Sequence, residues 1–180
     1  MSRLRIFSDA AGAWPAAAIT DHDEIAAQLN AAGIRFERWE AERPLNDGAP
    51  QDEVIDAYRS EIDALMQANG YRSVDVISMT PDHPDKAALR GKFLSEHTHS
   101  EDEVRFFVAG QGLFNLHTGG CVYEVLCEQG DLIGVPANTP HWFDMGPNPS
   151  FTAIRLFTNP EGWVAQMTGS DIADRFPRLD

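Results

Sequence analysis

Apolar positions in the first part of the chain recur at helical spacing. Thr20 or Asp21 can cap a helix running toward Asn30, since Asp23 and Glu24 complete either capping pattern, and Gly33 is a natural stop. Ile34 to Trp39 then alternates loosely, like a strand. From about Asp52 to Ala68, the residues Val54, Ile55, Tyr58, Ile62, Leu65 and Met66 form one stripe that predicts a single amphipathic helix ended by Gly70. Such a stripe is a core-facing surface rather than a ligand box. Tyr71 to Met79 alternates again, with Val74 and Val76 on one side. Pro81 and Pro84 break it before a short turn around Ala87 to Leu89.

The second half changes period. Glu103 to Ala109, Leu113 to His117, Val122 to Cys127, Leu132 to Val135, His141 to Met145 and Phe151 to Phe157 are short β-type runs. Turn signals separate them at Gly110-Gln111-Gly112, Thr118-Gly119-Gly120, Gln129-Gly130-Asp131, Pro136-Ala137-Asn138 and Gly146-Pro147-Asn148. Closely spaced short strands of this kind predict a sandwich or closed barrel. With no repeat or linker visible, residues 1–180 read as a single domain. A largely helical part covers about 1–70 and packs outside a β-barrel over about 71–160.

Composition narrows the partners. The chain has 180 residues, with 14 Lys and Arg against 28 Asp and Glu, a formal net charge of −14. That balance excludes a nucleic-acid phosphate backbone and an anionic membrane surface as partners. A small anionic substrate would need a local positive charge, from a metal or a buried arginine. No apolar run is long enough to span a bilayer, and Met1 to Phe7 lacks the apolar stretch of a signal peptide. Cys121 and Cys127 share one face of an extended segment, too far apart along a strand to be bridged. Two reduced thiols fit a cytoplasmic protein, and the acidic surface fits a monomer.

The candidate chemistry lies in Gly91 to Arg105. In an extended segment His97, His99, Glu103 and Arg105 share one parity and point to one face. A further ligand must come from a distant strand, and His141, after the Pro136-to-Pro140 turn, is the natural one. Two imidazoles and a carboxylate suit Fe(II) oxygenases, and a third imidazole still suits iron, nickel and their neighbours. A structural zinc site would be closed and richer in cysteine. Arg105 faces inward by parity, or is an outward surface arginine if the segment bends. His22, His83 and His117 sit in a polar helix start, a Pro-rich loop and an apolar strand, and read as ordinary histidines.

Gly91, five residues, His97-x-His99, three residues, Glu103, six residues and Gly110 resembles the first cupin motif at every position. Gly130, five residues, Pro136 and then His141 resembles the second, with Asn138 where that pattern has glycine and Met145 where it often has asparagine. This implies a mainly β fold, a cupin double-stranded β-helix, or jelly-roll barrel. The run Glu96 to Phe107, Gly110-x-Gly112-x-Phe114, Val135 to Phe143 and Ile154 to Phe157 is similar to the acireductone dioxygenase family of methionine salvage. So are the Trp39 stretch and Asp56-Ala57-Tyr58, so the resemblance spans nearly the whole chain.

The resemblance implies one Fe(II) or Ni(II) per chain on His97, His99, Glu103 and His141. The partners are a small-molecule acireductone with a methylthio tail and O2. With Fe(II) the family gives formate and the 2-oxo acid precursor of methionine; with Ni(II) it gives methylthiopropionate, formate and carbon monoxide. Arg105 is implied to stabilise the substrate dianion. Glu96 is implied to assist metal loading, and Asp102 to relay local conformational changes or, alternatively, to fix a histidine tautomer. Phe93, Phe107, Phe143 and Trp163 either wall the substrate tail or pack the core. The competing readings are another cupin enzyme, such as an isomerase, and a non-catalytic cupin sensor.

Overall fold

The computed structural model describes residues 1–10 and 17–180. In chain order come β1 (Arg3–Ser8), α1 (His22–Ala31), β2 (Arg35–Arg38), α2 (Gln51–Ala57), α3 (Arg59–Asn69), β3 (Ser73–Met79) and α4 (Lys86–Leu94). There follow β4 (His97–Thr98), β5 (Glu103–Thr118), β6 (Cys121–Glu128), β7 (Asp131–Val135), β8 (His141–Asp144), β9 (Phe151–Phe157) and β10 (Gln166–Met167). A 3-10 turn at Ile172–Arg175 leads to the C-terminus.

β5 organises the molecule. Its first part pairs antiparallel with β7 and β9, where Glu103 faces Val135 and Phe157. Its second part pairs with β6 and β8, where Leu116 faces His141. β1 extends the sheet beyond β6, β2 beyond β7 and β3 beyond β9, while β4 and β10 follow β8. The fold is therefore mainly β and of the cupin jelly-roll type, two sheets sharing one long strand. Among the described residues its hydrogen-bonded path does not close, which corrects the expectation of a closed barrel. The strands at that seam, β4 and β10, have only two residues each.

The single β5 replaces two expected strands. Gly110 was read as part of a turn, yet its φ of 69° is a bend within the strand, beside a register shift between Phe107 and Ala109. A Cβ at Gly110 would lie 1.9 Å from the Ser150 carbonyl oxygen, so only glycine lets β9 approach there. The expected helix over 52–68 is also two helices. Tyr58 breaks it at φ −112°: its buried ring packs edge-on against Phe106 at 5.6 Å, and its hydroxyl accepts from the Arg43 N–H. α1 begins as expected, with the Asp21 carboxylate accepting from the Glu24 N–H at 2.9 Å.

The sequence gives no sign of β10 or of the 3-10 turn, and it also hides β1 and α4. β1 is hidden in sequence because Ile6 and Phe7 are adjacent apolar residues that spoil the alternation; its Arg5 forks onto the buried Glu124 of β6. α4 replaces a short turn. It contains Gly91 and has no fully buried residue, so its helical pattern is faint.

Successive β5 residues serve opposite faces. Val104, Phe106 and Val108 pack beneath α2 and α3, against Val54, Ile62 and Leu65. Burial of each such side chain contributes roughly 1.5–3 kcal/mol. Glu103, Arg105 and Phe107 turn the other way, between the two sheets, and Phe107 joins Phe114, Ile133 and Phe143 in the inner core. This inward face carries the polar chemistry.

Candidate metal centre

His97, His99 and His141 converge between the sheets. Each offers a ring nitrogen, and these atoms all lie within 4.8 Å of one another. The strands enforce this: His97 on β4 is in register with His141 on β8, and their ring centroids are 4.4 Å apart. His99 follows β4 and is held by the Pro136-to-Pro140 turn, where the Asn138 N–H donates to the His99 carbonyl at 2.8 Å. Asn138 has φ 59°. Asparagine is among the few residues other than glycine that tolerate this conformation, so its departure from the glycine of the motif keeps the turn intact.

The protonation pattern is set by the backbone. The Nδ1 atoms of His97, His99 and His141 lie at 2.8, 3.1 and 2.8 Å from the carbonyls of Ser95, Val164 and Thr139. A carbonyl can only accept, so each Nδ1 donates, which leaves Nε2 as the atom that an imidazole can turn toward a metal. Burial, with a small opposing pull from the Ser95 carbonyl, lowers the pKa of His97. Burial and the neighbouring His97 lower that of His141 to about 3. Beside them, Glu103 is fully buried. Burial pushes its carboxyl up, but the adjacent Arg105 guanidinium outweighs this and holds it well below the usual carboxylate range.

These groups leave an unbalanced remainder. Glu103 Oε2 lies 3.2 Å from His99 Nε2, and with the His99 N–H at Nδ1 directed to the Val164 carbonyl both atoms are acceptors. Glu103 Oε2 and His141 Nε2 are buried with no hydrogen-bond partner. Buried acceptors facing one another are costly unless a cation lies between them. Three imidazole lone pairs and a carboxylate oxygen suit a first-row divalent ion.

A cavity of about 370 Å³ opens above the histidines. Arg105 reaches it from β5: its Nε and Nη2 hold Glu103 Oε1 at 3.1 and 2.7 Å, and its guanidinium stacks over Phe114 and Phe143 at 4.7 and 4.9 Å. Its remaining Nη1 is buried and unpartnered. Phe93, Phe143 and Trp163 line the cavity, whereas Phe107 packs behind Phe143 with centroids 6.4 Å apart. Two lining cations escaped the sequence reading, Lys92 and Arg155. Arg155 faces Arg105 in register and forks onto Asp75 of β3 at 2.8 and 2.6 Å. Its parity with Phe157 and Ala153 along β9 was the available signal.

Glu96 points away from the histidines, as its parity requires, to His117 and Thr168. Asp102 accepts from the Ala137 N–H at 2.7 Å. It therefore does not fix a histidine tautomer; backbone carbonyls do that. A larger open groove of about 580 Å³ beside Trp39, Glu42 and Glu128 brings together no comparable set of donors.

Comparison with known proteins gives one consistent result. The model of the ARD/ARD' family matches residues 3–165. The chain is 62% identical over 178 residues to an acireductone dioxygenase of Alcanivorax borkumensis, covering 99% of this chain and 98% of that protein. It is 59% identical over 180 residues to one of Pseudomonas savastanoi, covering 100% and 99%. Among solved structures it is similar to the acireductone dioxygenase from Bacillus anthracis with a cadmium ion in its active centre. There the TM-score is 0.82 and the identity 30%, over 92% of this chain and 98% of that one.

Proposed function

The chain belongs to the ARD/ARD' family of acireductone dioxygenases, and from that premise we propose that it cleaves an acireductone with O2 using one divalent metal ion. The observation that carries this is the trio of converging imidazole nitrogens beside an oxygen of Glu103 that has no hydrogen-bond partner among the described residues, at the floor of a cavity that Arg105 lines. His97, His99, Glu103 and His141 would hold the ion. When bound, it would supply Lewis acidity and open coordination positions for the substrate oxygens and O2.

The chain's own residues account for the rest. Arg105 Nη1 would donate to the ene-diolate oxygens, and burial makes that interaction strong. Arg155 would supply further positive potential from the adjacent strand. Phe93, Phe143 and Trp163 would hold the methylthio tail and exclude water, with Phe107 bracing Phe143 from behind. Asp102, through the Ala137 N–H, would pass movements of its own loop to the turn that carries His141. Glu96 would assist metal loading from beside His97.

The proposed products depend on the ion: the Fe(II) form would give 4-methylthio-2-oxobutanoate and formate, the Ni(II) form 3-(methylthio)propanoate, formate and carbon monoxide. We further propose a cytoplasmic monomer in methionine salvage. The test is anaerobic reconstitution with Fe(II) and Ni(II) in parallel, then addition of acireductone and O2. Oxygen uptake in both forms is expected, with carbon monoxide only from the nickel form. No oxygen uptake by either form would refute the assignment.

A further inference from the structure

The segment that forms one wall of the cavity has little to hold it. Trp163, Val164 and Met167 are 53%, 47% and 51% exposed, so burial of apolar surface does not fix this stretch. It is nevertheless tied to the site, because the Val164 carbonyl accepts a hydrogen bond from His99 Nδ1 at 3.1 Å. Beyond that contact it is held by the short β10–β4 pairing and by polar contacts to Glu96. The Thr168 N–H donates to the Glu96 carbonyl at 3.1 Å, and the Thr168 hydroxyl donates to Glu96 Oε1 at 2.7 Å. The short β10 pairs with β4 between these anchors, Met167 against His97.

Glu96 is itself held from the other side. His117, at the end of β5, lies between two carboxylates, with Nδ1 2.9 Å from Glu96 Oε2 and Nε2 3.2 Å from Asp9 Oδ2. Both Glu96 carboxylate oxygens are thus occupied, one by the strap segment and one by His117. A buried glutamate without His117 would be free to rotate away from Thr168. We infer that His117 is a positioning residue: by fixing Glu96 it orders the strap 164–168, which walls the cavity and orients His99.

His117 touches neither the cavity nor the metal-ligand atoms, so its influence runs through backbone order. That consequence is readable without metal or substrate, by hydrogen exchange on the metal-free protein. In His117→Ala, exchange of the Thr168 amide should rise about tenfold or more, while the β5–β6 ladder keeps its protection. His117→Asn retains a donor near the Nδ1 position and should restore most of the Thr168 protection. Thr168→Val breaks the same tie from the strap side and should reproduce the loosening if His117→Ala fails to fold.

The kinetic consequence rests on the acireductone reading. In the metal-loaded His117→Ala enzyme, KM for acireductone should rise roughly fivefold or more, since the wall of the cavity is loosened. Unchanged Thr168 exchange in both His117→Ala and Thr168→Val overturns the proposal, as does loosening that spreads evenly through β5 and β6. Inactivity of the wild-type enzyme toward acireductone would instead overturn the function, and the exchange measurement would still decide the role of His117.

Discussion

Arg105 meets two demands with one side chain. It neutralises the buried Glu103, and it keeps a donor free toward the cavity. Burial lowers its pKa and the facing Glu103 carboxylate opposes this, and a guanidinium remains charged throughout the physiological range. Replacing Arg105 by Ala should lower kcat/KM by about 10²–10³-fold, the usual scale for a lost preorganised donor, with metal content by elemental analysis unchanged. Wild-type turnover in that variant would remove Arg105 from the mechanism. Residue types single out His97, His99, Glu103 and Arg105 in the sequence, but a bend at Ser100 and Glu101 separates β4 from β5, so pairing with β8 and the turn before it, rather than one extended segment, set the histidines together. Arg155 has only its parity with Ala153 and Phe157 to mark it, because a charged position on an otherwise apolar strand looks solvent-facing until β3 supplies Asp75. His117 was not legible, because its two carboxylate partners lie at Asp9 and Glu96, far from it in sequence.

At the scale of elements, α4 shows how weak local signals are completed by a single strong contact. Its Arg90 forks onto Asp144 of β8 at 2.8 and 3.0 Å and also donates to the Leu179 carbonyl, so one guanidinium ties a helix, a strand and the C-terminal segment. Burial pushes the Asp144 carboxyl up, but Arg90 and the N–H groups of Gly146 and Leu179 prevail and hold it below the usual range. A carboxylate whose pKa is depressed on folding contributes stability above its unfolded pKa, about 3.9, and that contribution is lost as pH falls through the lower folded value. Urea titrations at pH 7 should find Arg90→Ala destabilised by roughly 2–4 kcal/mol, because Asp144 is left buried and unpaired. The deficit should shrink as pH falls from about 4 through the lower folded value, as Asp144 protonates first in the unfolded chain and then in the folded one. A deficit independent of pH would locate the loss in packing instead. In the second half β6 to β9 were readable from turn residues and alternation, whereas β5 read as two strands and β10 gave no signal. β1, α4 and the break at Tyr58 were not, because each depends on a contact distant in sequence.

At the scale of the molecule, the division into a helical part over about 1–70 and a barrel over about 71–160 does not match how the sheets are built. β1 pairs with β6 along Arg3 to Ser8, and β2 pairs with β7 along Arg35 to Arg38, so the early chain supplies strands to both sheets. Leu4 and Phe36 enter the inner core with Phe107 and Phe143, and beyond residue 160 Phe176 packs against Trp142 at 5.8 Å. We therefore propose that residues 1–180 act as one folding unit. A fragment of residues 71–160 would expose the ladder edges of β6 and β7 and uncover the faces now under α2 and α3. Unpaired apolar edges favour aggregation over folding. The fragment should be insoluble, or soluble without near-ultraviolet circular dichroism or a cooperative urea transition, and it should bind no Ni(II) tightly. A cooperative transition in that fragment would mean that the barrel is autonomous and that β1 and β2 are accessories. The same logic makes the metal centre a property of the whole fold: its histidines come from β4, the loop after it and β8, and β5 keeps them in register only while both sheets are complete.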